Sequence, residues 1–402
     1  MAIERTIKRP PQPARNGTRI HSPRIDGIDI LRGLAIFFVL MNHVNMRLLG
    51  AHVPYTHGLP PQLVSSLVWN GQFGVQIFFA VSGFLITSTA LRRYGSIGGV
   101  SARQFYELRF ARIAPLLLAL LAVLSVLHLA QVRGFIVSSR TGGLPAALFA
   151  ALTFHVNLLE ARRGYLPPAW DILWSLSVEE TFYLFFPLAC RLFRRGRYLL
   201  VPLGLFVLLG PFARSHVFNA NPVWREYSYL GGMDAIAMGC ITALCLSRRA
   251  LSRIAARAAC VCGSALLVFC LCFSIFAGRL GLERTGLTMS ILAAGTCMVM
   301  AAASQTQWRA PAALKPLLKL GQRSYEIYLT HLFIALGLFD WFLAAGKPIY
   351  AVPALFLAVV LLSGILGELV ARGYSERMNR WLRMRWKAEP DNLQVVANRS
   401  GE

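Results

Sequence analysis

Charged residues, and acidic residues above all, are scarce in this chain of 402 residues. It has 18 Asp and Glu against 41 Lys and Arg, and charged residues make up only 15% of the sequence. Soluble domains usually carry about 25%. Hydrophobic residues make up 56%, and the mean hydropathy is +0.53. This composition excludes an ordinary soluble domain and predicts an all-α polytopic membrane protein.

The signatures of several soluble enzyme classes are also missing. The chain has no Walker, Rossmann or HExxH motif and no internal repeat of the length that solenoids use. Its eight cysteines lie in or beside apolar runs, where free cysteine packs as a small hydrophobic residue, so we expect no metal site. Residues 1–24 are basic and contain prolines but no apolar core, so we expect no signal peptide.

Basic residues, by contrast, are abundant, and the formal net charge is +23. They lie between apolar runs rather than along one polar face, which argues against a nucleic acid as partner. Six flanks hold 29 of the 41 Lys and Arg, and such flanks are typically cytoplasmic. These flanks are 1–24, 92–112, 191–197, 248–257, 305–321 and 372–402.

The chain has eleven apolar runs, and all but the two shorter ones, 145–160 and 198–213, approach the roughly 20 residues that a membrane helix needs. The runs are 28–48, 70–91, 111–131, 145–160, 172–193, 198–213, 228–247, 257–278, 286–304, 322–344 and 350–371. The basic flanks fit this number only if 145–193 makes one net crossing. We therefore expect about ten transmembrane helices, one re-entrant or interfacial segment, and both termini in the cytoplasm.

The same pattern divides the chain into three parts. Residues 1–24 are predicted to be a basic, disordered cytoplasmic tail whose charges touch anionic membrane lipid. Residues 25–372 form the membrane domain, and 373–402 form a short basic cytoplasmic tail. Because that last tail is too short for a soluble catalytic domain, we expect any chemistry within the membrane domain itself.

The first apolar run carries charged groups, which cost about 2.5–3.5 kcal/mol each inside a membrane helix. Asp29 and Arg32 are three residues apart and can pair on one face. His43 returns to that face about 16 Å further along. Arg32 alone could instead reach the membrane surface, but His43 lies deep in the run, which favours a functional role.

Two further helices carry polar stripes through apolar sequence. In one helix, a hydroxyl, a carboxylate and a phenol recur every four residues, at Ser175, Glu179 and Tyr183. Glu180 falls on another face of that helix. In the other, three polar groups fall at i, i+4 and i+7. The stripes are Ser175, Glu179 and Tyr183, and Ser324, Tyr328 and His331. Each could be a hydrogen-bonded seam between helices, but three stripes in one bundle favour a shared polar cavity.

Two short motifs complete the set of candidate residues. Ser82 and Gly83 lie in the middle of an apolar run, where small residues usually allow close helix packing, and Ser82 is also a candidate for the cavity. Arg109 and Arg112 share one face at a predicted cytoplasmic mouth. Such a pair could be a topology signal, or its guanidinium forks could bind phosphate oxygens.

Five motifs together resemble the acyltransferase type 3 family of integral-membrane O-acyltransferases, in the same order and spacing. They are RIDGIDILRGLAIFFVLMNH, FGVQIFFAVSGFLIT, LRFARIAP, WSLSVEETFYLFFP and RSYEIYLTH. The resemblance covers residues 24 to 372 and implies acyl-CoA as donor, with about ten helices. In the family's motifs, His43 matches an essential histidine and Arg32 matches an arginine position. Arg109 and Arg112 match the family's RxxR element, and Glu179 matches its glutamate.

The residues and the resemblance together predict a mechanism, in which the resemblance supplies the acyl-CoA donor. Cytosolic acyl-CoA, expected to be acetyl-CoA, would bind Arg109 and Arg112 through its phosphates. His43 would act as the general base for a hydroxyl acceptor, which we expect to be a carbohydrate. Glu179 would orient the protonated His43 ring or compensate its charge. An acyl-histidine intermediate remains open, as do the acceptor's identity and the oligomeric state. A bacterial inner membrane is the expected location.

The alternative interpretation is a proton-coupled secondary transporter or exporter. Intramembrane histidine, glutamate and arginine residues also form proton relays in such proteins. Many transporters, however, contain internal repeats, and none is visible here.

Overall fold

The chain folds into helices, with no strand, throughout the two ranges that the computed structural model describes, residues 24–306 and 308–386. The first helices are α1 (Asp26–Gly50), α2 (Pro61–Val68), α3 (Gly71–Tyr94), α4 (Ala102–Leu129), α5 (Gly143–Leu152), α6 (Val156–Arg163), α7 (Pro168–Asp171) and α8 (Leu173–Leu192). The others are α9 (Gly196–Arg214), α10 (Pro222–Tyr227), α11 (Tyr229–Arg248), α12 (Arg253–Cys272), α13 (Ser274–Arg279), α14 (Leu287–Gln305), α15 (Lys315–Gln322), α16 (Ser324–Ala344) and α17 (Val352–Val370). The all-α prediction is confirmed.

Nine helical stretches in these ranges are long and apolar enough to cross a membrane. Helix α8 is a tenth of sufficient length, because its 20 residues extend about 30 Å, the thickness of the hydrocarbon core. Its mean hydropathy is reduced by polar side chains, among them Glu179 and Glu180. The protein is therefore a multi-pass membrane protein with about ten spans, as the sequence predicts.

The segment expected not to cross lies in the first part of 145–193. Helices α5 and α6 have ten and eight residues, so they extend only about 15 and 12 Å. Neither can cross a bilayer alone. Helix α8 is long enough for the one crossing that the sequence predicts for this region.

Helix α3 lies at the centre of the bundle and packs against α1, α11 and α14. Glycines allow this close approach. A Cβ atom on Gly83 would lie 1.9 Å from the carbonyl oxygen of Ile236, and one on Gly239 would lie 2.1 Å from that of Ala80. The backbones of α3 and α11 can touch only because both positions lack a side chain.

A buried ion pair joins helices α9, α11 and α14. The Nη2 atom of Arg214 donates to Asp234 Oδ2 at 2.7 Å and to Ser290 Oγ at 2.7 Å. The same guanidinium also donates to the carbonyl oxygens of Gly231 and Gly286. Every nitrogen of Arg214 therefore has an acceptor, which is what a buried charge requires.

The last helix is unusually long. After α17 the chain makes a π-helical turn at Ala371–Ser375 and stays helical to residue 386. The predicted tail 373–402 is therefore helical as far as it is described. The predicted disorder of the tail 1–24 lies outside the described residues, apart from Arg24.

Candidate active site

A cavity of about 310 Å³, which we call the central cavity, lies among helices α1, α3, α4, α8 and α16. Nine of the twelve predicted site residues line it. They are Arg32, Ser82, Arg109, Arg112, Ser175, Glu179, Tyr183, Ser324 and Tyr328. These residues come from five helices, so members of all three polar stripes meet at one cavity, although Asp29, His43 and His331 do not line it.

One wall of the central cavity is a hydroxyl and carboxylate cluster. Tyr183 donates from its hydroxyl to Glu179 Oε1 at 2.6 Å, one turn apart on α8. Ser82 of α3 contacts both, and its Oγ donates to the same carboxylate. Glu179 is thus held by two hydroxyl donors at the cavity surface, where its carboxylate can orient a neighbouring group or accept a proton.

Arg109 already has partners inside the protein. Its Nη2 atom donates to Glu180 Oε1 at 2.9 Å, and its guanidinium lies 3.6 Å from the centre of the Tyr183 ring. Its buried Nε atom has no hydrogen-bond partner among the described residues. Glu180 therefore positions Arg109 in the wall of the central cavity.

A charged space of about 390 Å³, which we call the vestibule, adjoins the central cavity. Arg32, Arg112 and Arg383 line both. The predicted pair is present, since Arg32 lies 3.3 Å from Asp29, and its Nη2 also donates to Ser324 Oγ at 2.9 Å. Asp29 lines the vestibule and not the central cavity.

Arg112 differs from its neighbour Arg109. It is exposed and makes no ion pair with any described residue. Six arginines line the vestibule against three acidic residues, which gives it a positive balance suited to phosphate groups. The arginines are Arg24, Arg32, Arg92, Arg112, Arg323 and Arg383.

His43 and His331 lie behind the central cavity, next to each other. Their ring centres are 5.0 Å apart, and His331 lies 6.0 Å from the ring of Tyr328. Tyr328 lines the central cavity and contacts His331. Its hydroxyl donates to the carbonyl oxygen of Ile172 at 3.0 Å and lies 2.7 Å from the Oγ atom of Ser175.

The hydrogen bonds of His331 fix which of its nitrogens carries a proton. Its Nδ1 atom lies 2.8 Å from the carbonyl oxygen of Tyr328 and 3.2 Å from that of Ile327. Carbonyl oxygens only accept, so Nδ1 carries the hydrogen and Nε2 carries the lone pair. That Nε2 atom is buried without a partner in the described residues, so it can accept a proton beside His43.

At the end of the bundle opposite the vestibule, outside the candidate spans, two carboxyl groups lie together. Glu160 of α6 is fully buried, and its Oε1 accepts from the backbone N–H of Leu166 at 3.0 Å. Asp171 accepts from the Tyr227 hydroxyl at 3.4 Å. Burial, together with the neighbouring negative charge, raises the pKa of the Glu160 carboxyl, and burial raises the pKa of Asp171 as well.

Sequence reasoning left several of these residues without a role. Glu180 falls on another helix face, and its ion pair with Arg109 joins residues 71 positions apart. Arg383 lies in the predicted tail, yet it lines the central cavity. A buried carboxylate in an apolar run was the available signal for Glu180. No sequence signal placed Arg383.

Among the described residues, no group of three His, Cys, Asp or Glu could hold a metal ion.

Comparisons with known proteins agree with the motifs. A family model described as an acyltransferase domain matches residues 25–368. O-acetyltransferase OatA of Staphylococcus aureus is 23% identical over 368 residues, which cover 88% of this chain and 57% of that protein. Peptidoglycan O-acetyltransferase OatA of Listeria monocytogenes is 26% identical over 343 residues, 78% of this chain and 50% of that protein.

The chain spans about half the length of the curated relatives that it matches. A putative O-acetyltransferase of Staphylococcus aureus is 29% identical over 167 residues, which cover 40% of this chain and 24% of that protein. No solved structure matches. Because the family model extends over most of the chain, and the family's motifs converge on one membrane cavity, this protein belongs to the acyltransferase type 3 family.

Proposed function

We propose that this protein is an O-acetyltransferase of the bacterial plasma membrane. In this proposal, it moves an acetyl group from acetyl-CoA to a hydroxyl of a carbohydrate. The observation that carries the proposal is the convergence of the family's arginine and glutamate motifs on the central cavity, with the histidine next to its wall. The names of the bacterial relatives support acetyl transfer, and one of them names peptidoglycan. Family membership favours transfer over the alternative of a proton-coupled exporter.

The donor would occupy the vestibule and the central cavity together. The phosphates of acetyl-CoA match Arg112, which has no ion-pair partner among the described residues, and the other arginines of the vestibule. The narrow pantetheine arm matches the central cavity, whose wall carries Phe78, Leu85 and Leu329 beside its polar groups. The thioester would then lie beside Glu179 and Tyr328.

The chemical step follows from the positions of the two histidines. A ring nitrogen of His43 takes the proton of the acceptor hydroxyl while that oxygen attacks the thioester carbonyl carbon. The tetrahedral oxyanion is stabilised by N–H and O–H donors of the cavity lining. The C–S bond then breaks, and the thiolate takes the proton back from His43, so His43 returns to its neutral form. His331 positions His43 by packing its ring beside that of His43, with the two ring centres 5.0 Å apart.

The test uses the full chain in lipid nanodiscs, with acetyl-CoA and a panel of carbohydrate acceptors, and detects acetyl esters by mass spectrometry. His43→Ala is expected to lower turnover by about 10²–10⁴-fold, because general-base catalysis is worth that much. Acetyl-CoA binding, measured by calorimetry, should persist in His43→Ala. Arg112→Ala should show the reverse pattern, with weakened binding.

The pH profile adds an independent measurement. The wild-type rate should rise with pH through one ionisation, since a protonated histidine cannot accept a proton. Full turnover of His43→Ala with that same profile would refute the assignment of the base. Absence of any acetyl-CoA binding to the wild-type protein would refute the donor.

A further inference from the structure

A second cavity, of about 500 Å³, which we call the far cavity, lies at the other end of the bundle. Helix α3 connects the two ends, since Gln72 lines the far cavity and Arg92 lines the vestibule. Twenty residues of helix separate them, a distance of about 30 Å. The two openings are therefore about one membrane thickness apart.

The walls of the far cavity combine aromatic faces with hydrogen-bonding side chains. Trp69, Phe73 and Trp174 supply the aromatic faces, and Trp69 is half exposed. Asn70 and Gln72 supply amide oxygens, whereas their amide nitrogens already donate to backbone carbonyl oxygens. Indole faces bind the C–H groups of a sugar ring, while amides bind its hydroxyls. The volume also falls within the range of small-ligand pockets, about 300–1,000 Å³.

An unsatisfied hydroxyl points to a polar ligand in this cavity. Thr288 lines it and is only 6% exposed, yet its Oγ1 atom has no hydrogen-bond partner in the described residues. A buried hydroxyl without a partner is costly, so a ligand hydroxyl that pairs with it gains affinity. The nearby Arg214 offers no such group, because Asp234 and backbone carbonyl groups already occupy its nitrogens.

The far cavity also borders the part of α1 that carries the proposed catalytic histidine. Its wall segment Trp69–Gln72 packs against α1 at Asn42, whose Nδ2 donates to the Val68 carbonyl oxygen at 3.0 Å. A Cβ atom on Gly71 would lie 2.6 Å from the Asn42 side chain, so this contact is close. His43 is the next residue along α1. Phe79, in addition, lines both cavities.

We propose that the far cavity is the acceptor site and that it takes a pyranose unit of a carbohydrate. Trp69 stacks on one face of the sugar ring, and the Thr288 hydroxyl pairs with a sugar hydroxyl. The acceptor thus enters from the end opposite the vestibule and meets the acetyl group near His43. This inference rests on the proposed function, because it names where that reaction's acceptor binds.

The experiment measures binding rather than turnover. The probe is tri-N-acetylchitotriose, and saturation-transfer NMR follows its binding to the full chain in lipid nanodiscs, without any sugar-based detergent. Trp69→Ala should raise the dissociation constant about tenfold, since a lost aromatic contact is worth up to about 1.5 kcal/mol. Thr288→Val keeps the side-chain shape and should weaken binding severalfold.

Trp308→Ala is the matched control, because Trp308 is 47% exposed against 50% for Trp69 and does not line the far cavity. It should bind the probe as wild type does. Wild-type affinity in both Trp69→Ala and Thr288→Val, or no binding to the wild-type protein, would overturn the acceptor site. Acetyl-CoA binding, measured in parallel, distinguishes that failure from a failure of the proposed function.

Discussion

Two adjacent glutamates of α8 have different partners, although they differ by one position in the sequence. Glu179 accepts hydrogen bonds from Ser82 and Tyr183 at the cavity surface, whereas Glu180 holds Arg109. Their order along the helix turns them to different faces. Their substitution should therefore damage different steps of the reaction.

Glu179→Gln is expected to lower the turnover number about 10²-fold with little change in acetyl-CoA binding, because a charge at the reacting centre is lost. Glu180→Gln should instead weaken acetyl-CoA binding, because Arg109 loses the group that positions it. Steady-state kinetics and calorimetry separate the two effects. Glu107→Gln, which removes an exposed pair with Arg103 on α4, is the control. Equal effects of the two α8 variants on both quantities would contradict this division.

The sequence predicts the residues on each stripe better than the contacts between stripes. Asp29 and Arg32 pair as their spacing requires, because both lie on one helix whose geometry is known. The contact between His43 and His331 joins α1 to α16, and no periodicity carries that information. Local geometry follows from spacing, whereas the neighbours of a helix depend on the whole bundle.

At the scale of helices, the central contact of α3 and α11 depends on glycine. Gly83→Ala is expected to lower stability by about 1–3 kcal/mol, because the new Cβ atom would overlap the Ile236 carbonyl oxygen. Gly337→Ala, in α16, is the control, since nothing lies within 4 Å of its added Cβ atom. It should be neutral or stabilising by about 0.4–1 kcal/mol. Thermal unfolding followed by tryptophan fluorescence measures both. Equal melting temperatures for the two variants would refute the close contact.

Helix ends were less predictable than helix existence. The apolar run 111–131 predicts a helix, but α4 begins at Ala102, and Ser101 accepts a hydrogen bond from the backbone N–H of Gln104. Arg103 and Glu107 form an i,i+4 pair on this added part. Helix can extend into water when capping and charge pairs support it, so hydropathy alone marks only the part inside the membrane.

At the scale of the molecule, the orientation in the membrane remains a prediction. Tags at residues 15 and 395 should both report the cytoplasm, and a tag within 214–226 should report the outer side, because 29 of the 41 basic residues lie in the six flanks. Accessibility to a membrane-impermeant reagent in intact cells, compared with lysed cells, measures this. A single terminus on the outer side would contradict an even number of crossings.

The length of the last helical stretch has a consequence for how a soluble donor can be bound by a membrane bundle. From Ile349 to Trp386 it has 38 residues, which extend about 57 Å, whereas the hydrocarbon core is about 30 Å thick. Nearly half of this stretch therefore extends beyond the hydrocarbon core, into the headgroup region and the water. Glu376, Asn379 and Arg383 lie on that projecting part and line the vestibule. A highly charged nucleotide could thus be held without leaving the aqueous phase, and only its uncharged arm would enter the membrane.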